Sequence, residues 1–125
     1  MKINFESETP IYIQIAEQIE DAVLSGAFPE ETQVPSTTEI SVTYQINPAT
    51  VLKGMNLLVD EKILYKKRGV GMFVTAGATE NILRKRREAF YNQYIIRLLE
   101  EAAKLKIGKD ELIQMLQQEG ENNHE

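Results

Sequence analysis

The sequence predicts a mostly α-helical chain with one small β-hairpin, and three observations lead there. Apolar residues recur at three-to-four spacing along most of the chain. The period switches to two only once, on either side of the basic turn Arg68-Gly69-Val70-Gly71. The helical runs also open on residues suited to capping, namely Ser36, Asn47 and Thr79. The 125 residues, 42% apolar and 26% charged, suffice to bury a core without covalent or metal staples.

The first helix is predicted to start at Thr9, with Pro10 in its first position, and to carry Ile11, Ile15, Ile19 and Val23 on one face until Ser25-Gly26. Ahead of it, Ile3 and Phe5 alternate with polar residues, as in a short strand or a packed arm. The stretch AFPEETQVP, with two prolines, reads as a loop. Ser36 with Glu39 three residues on forms a capping box. It opens a short helix with Ile40, Val42 and Tyr44 as its apolar face. Asn47-Pro48 interrupts that helix and caps the next, because a residue before proline avoids helical geometry. Val51, Met55, Leu58 and Val59 line the new helix.

Ile63 to Arg68 and Met72 to Val74 form the hairpin, and Thr75 to Ala78 a linker. Thr79 is then expected to cap a long helix to about Ile107, ended by Gly108. A short helix with Leu112, Ile113 and Leu116 follows, and GENNHE is expected to be disordered. The predicted domains are therefore 1–75, a helical region over 79–119 and a tail over 120–125.

Several function classes drop out. There is no cysteine, so thiolate catalysis, disulfides and cysteine-based zinc sites are excluded. The single histidine, His124, lies in the polar tail, and neither a metal nor a cofactor is expected. No apolar run is long enough for a membrane span, and MKINFESETP is no secretory signal, so a cytoplasmic protein is expected. An enzyme is not supported, since no serine or threonine has a histidine base and the carboxylates form no evident pair. RGVG is too short for a nucleotide cradle.

The net charge of −5 hides an uneven distribution. Residues 1–46 hold eight acidic groups and one basic, whereas 47–74 hold five basic and two acidic. Residues 75–107 are again basic, seven against four, and 108–125 acidic, five against one. A basic centre between acidic ends can dock on a polyanion despite the total.

A short helix, a tight turn, a second helix and a basic glycine hairpin in succession make a winged helix-turn-helix. In that arrangement the second helix enters the major groove of double-stranded DNA, leading with Asn47, Pro48, Ala49 and Thr50 and then Lys53. Asn and Thr can bond base edges, and Ala can touch a thymine methyl. Ser36, Thr37 and Thr38 open the first helix, where free amides can hold phosphate. Lys67, Arg68, Gly69, Val70 and Gly71 would form the wing tip, small and glycine-framed, so that no bulky neighbour keeps the arginine from a narrow minor groove. Each piece has a plainer meaning: most capping boxes only cap, and most short charge runs are solvated. Their order and spacing favour DNA.

Pro10-Ile11-Tyr12 with Gln14-Ile15, Val34-Pro35-Ser36, Asn47-Pro48-Ala49-Thr50-Val51 and Arg68-Gly69-Val70-Gly71-Met72-Phe73-Val74 together resemble the GntR family of bacterial transcriptional regulators. The resemblance runs over residues 3–74. The short C-terminal region is similar to the YtrA branch. What the resemblance implies is a winged-helix DNA-binding domain, a homodimer formed by the C-terminal helices and repression at an inverted-repeat operator, often that of the regulator's own operon with transporter genes. Two positions depart from the family pattern: Thr38 stands where arginine is common, and Leu52-Lys53 follow Thr-Val where many members have arginine. Lysine cannot make arginine's two-pronged bond to guanine, so phosphate-heavy, salt-sensitive binding is expected.

Leu83, Phe90, Tyr94, Leu98, Ala102, Leu105, Leu112 and Leu116 are the residues expected at the dimer interface, because the winged helix closes its own core without them. Phe90, Tyr91 and Tyr94 are a candidate site for a small-molecule effector of unknown identity, although aromatics at this spacing are more often core. Arg84 to Arg87 can touch DNA flanks, pair with acids or be solvated. The rival to a DNA-binding regulator is a winged-helix adaptor for another protein, which the acidic N-terminal third would suit.

Overall fold

The computed structural model describes residues 2–122. Its elements are α1 (Ile11–Ser25), α2 (Thr37–Tyr44), α3 (Pro48–Asp60), β1 (Leu64–Lys67), β2 (Gly71–Val74), α4 (Ala78–Phe90), a π-helical turn (Tyr91–Ile95), α5 (Ile96–Lys104) and α6 (Lys109–Asn122). The chain divides into two compact units, one up to Arg84 and one from Lys85.

The first unit is built around the apolar faces of α1 and α3. Ile15, Ile19 and Val23 from α1 meet Val51, Met55 and Leu58 from α3, with Ile40, Ile46, Ile63, Leu64 and Val74 completing the core. Buried side chains of this size contribute about 1.5–3 kcal/mol each, which makes this cluster the main source of stability. The two helices approach closely at Gly54, where even a Cβ would lie 2.6 Å from the Tyr12 carbonyl oxygen. Ala78 and Ile82, in the first turns of α4, are fully buried in the same core.

Helix α1 begins one residue later than its sequence suggests. Pro10 is the N-cap, with extended backbone, and no side chain caps the helix. Thr9 contributes its carbonyl instead, which accepts from the Gln14 side-chain amide at 2.9 Å. That same amide spans the N-terminal arm: Gln14 Oε1 accepts from Asn4 N at 2.8 Å and Gln14 Nε2 donates to Asn4 O at 2.9 Å. Gln18 pairs with the Lys2 backbone in the same two-way manner. The arm is thus tied down by side-chain amides, and it forms no strand.

The hairpin is antiparallel, with Leu64 opposite Val74 and Lys67 opposite Gly71. Its alternation puts Leu64 and Val74 in the core and Tyr65, Lys67 and Phe73 on the other face. The Tyr65 and Phe73 rings stack there at 5.6 Å. Part of the proline-rich loop pairs along β2, as Val74 N donates to Thr32 O and Val34 N to Met72 O, both at 3.0 Å. This isolated bridge, Gln33 to Phe73, stands where the composition predicts only loop.

Helix α4 starts at Ala78, so Thr79 does not cap it. Glu30 does so from the α1–α2 loop: its carboxylate accepts from Gly77 N at 2.8 Å and Thr79 N at 3.2 Å. Those bonds, Gly77's foremost, hold the Glu30 carboxyl below its ordinary value of 4.5. In α2 only Ile40 is buried, and Val42, expected on the inner face, is 72% exposed because eight residues give the short helix a narrow buried stripe.

The second unit holds the π turn, α5 and α6. Helix α6 continues to Asn122, so residues 120–122 of the expected tail are helical. One glycine costs only about 1 kcal/mol, too little to stop a helix already propagating. His124 lies outside the described residues.

Candidate nucleic-acid interface

The candidate interface begins at the turn between α2 and α3. Gln45 takes a left-handed backbone, φ 53°, and closes α2. Ile46 is buried and anchors the turn in the core. Ser41 locks it from both ends: Ile46 N donates to Ser41 O at 3.1 Å, and Ser41 Oγ donates to Ile46 O at 2.6 Å. The direction of α3 is therefore fixed before its first residue.

At the start of α3, Asn47 Oδ1 accepts from Ala49 N at 2.8 Å. Its oxygen holds the cap, and its NH2 can donate outward to acceptors such as purine N7. Asn47, Pro48 and Ala49 are exposed and Thr50 is half-buried. Lys53 is exposed one turn on, and its Nζ lies 4.1 Å from the centre of the Tyr12 ring. The ring holds the lysine ammonium toward α1, a cation–π contact of about 0.5–1 kcal/mol at an exposed position.

The capping box forms as its sequence predicts. Ser36 Oγ accepts from Glu39 N at 3.0 Å, and Glu39 Oε1 accepts from Ser36 N at 3.1 Å. The Ser36 hydroxyl proton stays available for a phosphate oxygen. Thr38 is exposed beside it. Thr37 is half-buried, its hydroxyl 3.6 Å from Met55 Sδ.

The wing tip is short. Val70 N donates to Lys67 O at 2.9 Å and closes the turn, with Gly69 at φ 77°. Lys67, Arg68 and Val70 are all exposed, and Lys67 Nζ lies 5.2 Å from the Phe73 ring centre. Two residues absent from the sequence-based set also belong to this surface, Tyr12 and Gln33. Tyr12 belongs to a motif of the family resemblance, yet no local pattern gives either residue its role here, because their partners lie 41 and 37 positions away.

In the second unit Phe90, Tyr94, Leu98, Leu105 and Leu116 are exposed, as is Leu83 in the first. Ala102 and Leu112 are different: they are only 5% and 9% exposed in the single chain. Both are covered within their own chain, unlike the exposed members of the same set. Phe90, Tyr91 and Tyr94 stand on the surface, with the Phe90 and Tyr94 rings 5.5 Å apart.

The model described as "Bacterial regulatory proteins, gntR family" matches residues 11–74, just over half of the chain. The chain belongs to the GntR family. Among solved structures, a GntR-family transcriptional regulator from Bacteroides thetaiotaomicron is similar over 91% of this chain and 99% of its own, at 32% identity and a TM-score of 0.78. The HTH-type transcriptional repressor NagR of Bacillus subtilis (strain 168) is 35% identical over 83 residues, 66% of this chain and 34% of NagR. The HTH-type transcriptional repressor YtrA of the same strain is 31% identical over 83 residues, 66% of this chain and 64% of YtrA. The match thus spans about a third of one curated relative and just under two thirds of the other. NagR and YtrA are both named as transcriptional repressors. Among the described residues no helix is long and apolar enough to cross a membrane.

Proposed function

We propose that this chain is a sequence-specific repressor that binds an inverted-repeat operator on double-stranded DNA as a homodimer. The observation that carries the reading is the pair of exposed, locally braced elements on one unit: the capped start of α3, with Asn47, Ala49, Thr50 and Lys53, and the glycine-framed tip with Lys67 and Arg68. Ser36 and Thr38 add phosphate contacts at the start of α2. A protein adaptor has no need to gather its positive charge there. The unpaired apolar face of Phe90, Tyr94, Leu98 and Leu105 supports the dimer, and two-fold pairing suits palindromic half-sites. The repressor names of NagR and YtrA support the direction of regulation.

Fluorescence anisotropy on labelled DNA from upstream of the chain's own gene, beside a scrambled duplex, tests this at two salt concentrations. Binding to the upstream duplex alone, weakening steeply with salt, is expected. Lys53→Ala should flatten the salt dependence by about one unit of slope, as one lost phosphate contact does. Arg68→Ala should cost about 1–3 kcal/mol at the cognate duplex. Equal weak binding to both duplexes, with a stoichiometric protein partner in a pull-down, would favour the adaptor. Tyr94→Glu is expected to yield monomers in sedimentation and to weaken operator binding.

A further inference from the structure

We propose that Gln33 is the residue that positions the wing tip, and so sets the base preference that Arg68 carries. The inference rests on the DNA-binding reading above. The backbone of Gln33 is pinned on both sides, by Val74 N to Thr32 O and Val34 N to Met72 O, and it forms an antiparallel bridge with Phe73. From this fixed base the side chain reaches along the hairpin, and its Nε2 donates to Val70 O at 2.9 Å. Gly71 makes room for it: a Cβ there would lie 2.5 Å from Gln33 Nε2, and the φ of 145° is one that only glycine adopts easily.

A hairpin of two four-residue strands is marginal alone. The turn's own bond, Val70 N to Lys67 O, closes the loop but does not orient it against the rest of the fold. The Gln33 amide does, because it ties the residue beside the tip to the α1–α2 loop 37 positions away. An exposed arginine on an oriented tip reaches the groove with less ordering left to do on binding, which is affinity and selectivity gained without any contact from Gln33 itself. Gln33 is therefore a positioning residue, and it need touch no nucleotide.

The test uses the full chain and a duplex enriched by the wild type from a randomised pool, with copies in which flanking A·T pairs are exchanged for G·C. Gln33→Ala, and Gln33→Met, which keeps the stem but loses the donor, are expected to lower affinity about tenfold, the scale of one hydrogen bond. Both should blunt the A·T preference at the flanks. Combined with Arg68→Ala they should add little further loss, since the two act through one tip. In the free protein, the backbone amides of Gly69 and Val70 should become more mobile by nitrogen-15 relaxation, while the thermal midpoint stays near that of wild type. A tip that remains ordered in both variants, an unchanged flank preference, or losses that add fully to Arg68→Ala would overturn the proposal. A wild type that enriches no duplex would overturn the DNA reading and, with it, the role of Gln33 on DNA. The relaxation data from the free chain tell that failure from a strap that does not hold the tip.

Discussion

Replacing Gly54 by alanine pits two opposing effects of known size against each other. Helix propensity favours alanine by about 1 kcal/mol in a helix interior. Packing opposes it: the new Cβ would lie 2.6 Å from the Tyr12 carbonyl oxygen and 3.2 Å from Ile15 Cγ2. Ordinary contact needs about 3.5 Å, so close to 1 Å must be found. No flexible side-chain end can supply it, because Tyr12 offers backbone and Ile15 is completely buried. Forced overpacking of this kind costs about 1–3 kcal/mol, and backbone contact puts it at the upper end. A net loss of about 1–2 kcal/mol is expected, or a fall of roughly 5–10 °C in Tm. Because the shift would push α3 off α1, operator affinity should fall with stability. Urea unfolding followed by circular dichroism reads the loss. Gly120→Ala in α6, where a Cβ meets nothing within 4 Å, isolates the propensity gain. A Gly54→Ala midpoint equal to or above wild type would refute the close-approach argument.

Further outcomes follow from individual contacts. Ser36→Ala removes the oxygen that accepts from Glu39 N and should cost about 1 kcal/mol of stability, read by urea unfolding. Gln45→Gly relieves the left-handed backbone and should stabilise by about 0.5–1 kcal/mol, read as a higher urea midpoint. Glu30→Gln should lower the thermal midpoint at neutral pH. Since the folded carboxyl titrates below the ordinary 4.5, its contribution is fully present above that value and is lost as the pH falls through the lower folded one. The variant's disadvantage should therefore shrink in acid, and a gap that stays constant down the pH scale would contradict the cap.

The parts legible in the sequence are those whose physics is local. Ser36 with Glu39, and Asn47 with Pro48, announce helix starts within four residues, and both caps form as read. The hairpin shows through its alternation and its glycines. What escapes is whatever depends on a distant partner. Glu30 reads as one more acid in a loop, yet it caps a helix 47 residues on. Gln33 is similarly silent until the fold sets it against Val70, and Tyr12, though part of a recognisable motif, shows no sign of its contact with Lys53. Thr37 shows a different limit: its type suits a phosphate, and the phase of a short helix also sets its hydroxyl 3.6 Å from Met55 Sδ. In the second unit, Ala102 and Leu112 share the apolar spacing of their neighbours, and periodicity alone does not separate side chains covered within one chain from those left open.

The burial of Ala78 and Ile82 bears on how this protein can be cut and recombined. A fragment trimmed after Val74, at the end of the hairpin, would evict both side chains from the core and leave a hollow lined by apolar groups. It would also strand the Glu30 carboxylate without the amides it caps. The natural seam lies about ten residues later, after Arg84, where the first unit ends. A chimera spliced there inherits a sealed head, and one spliced at the linker inherits a leak.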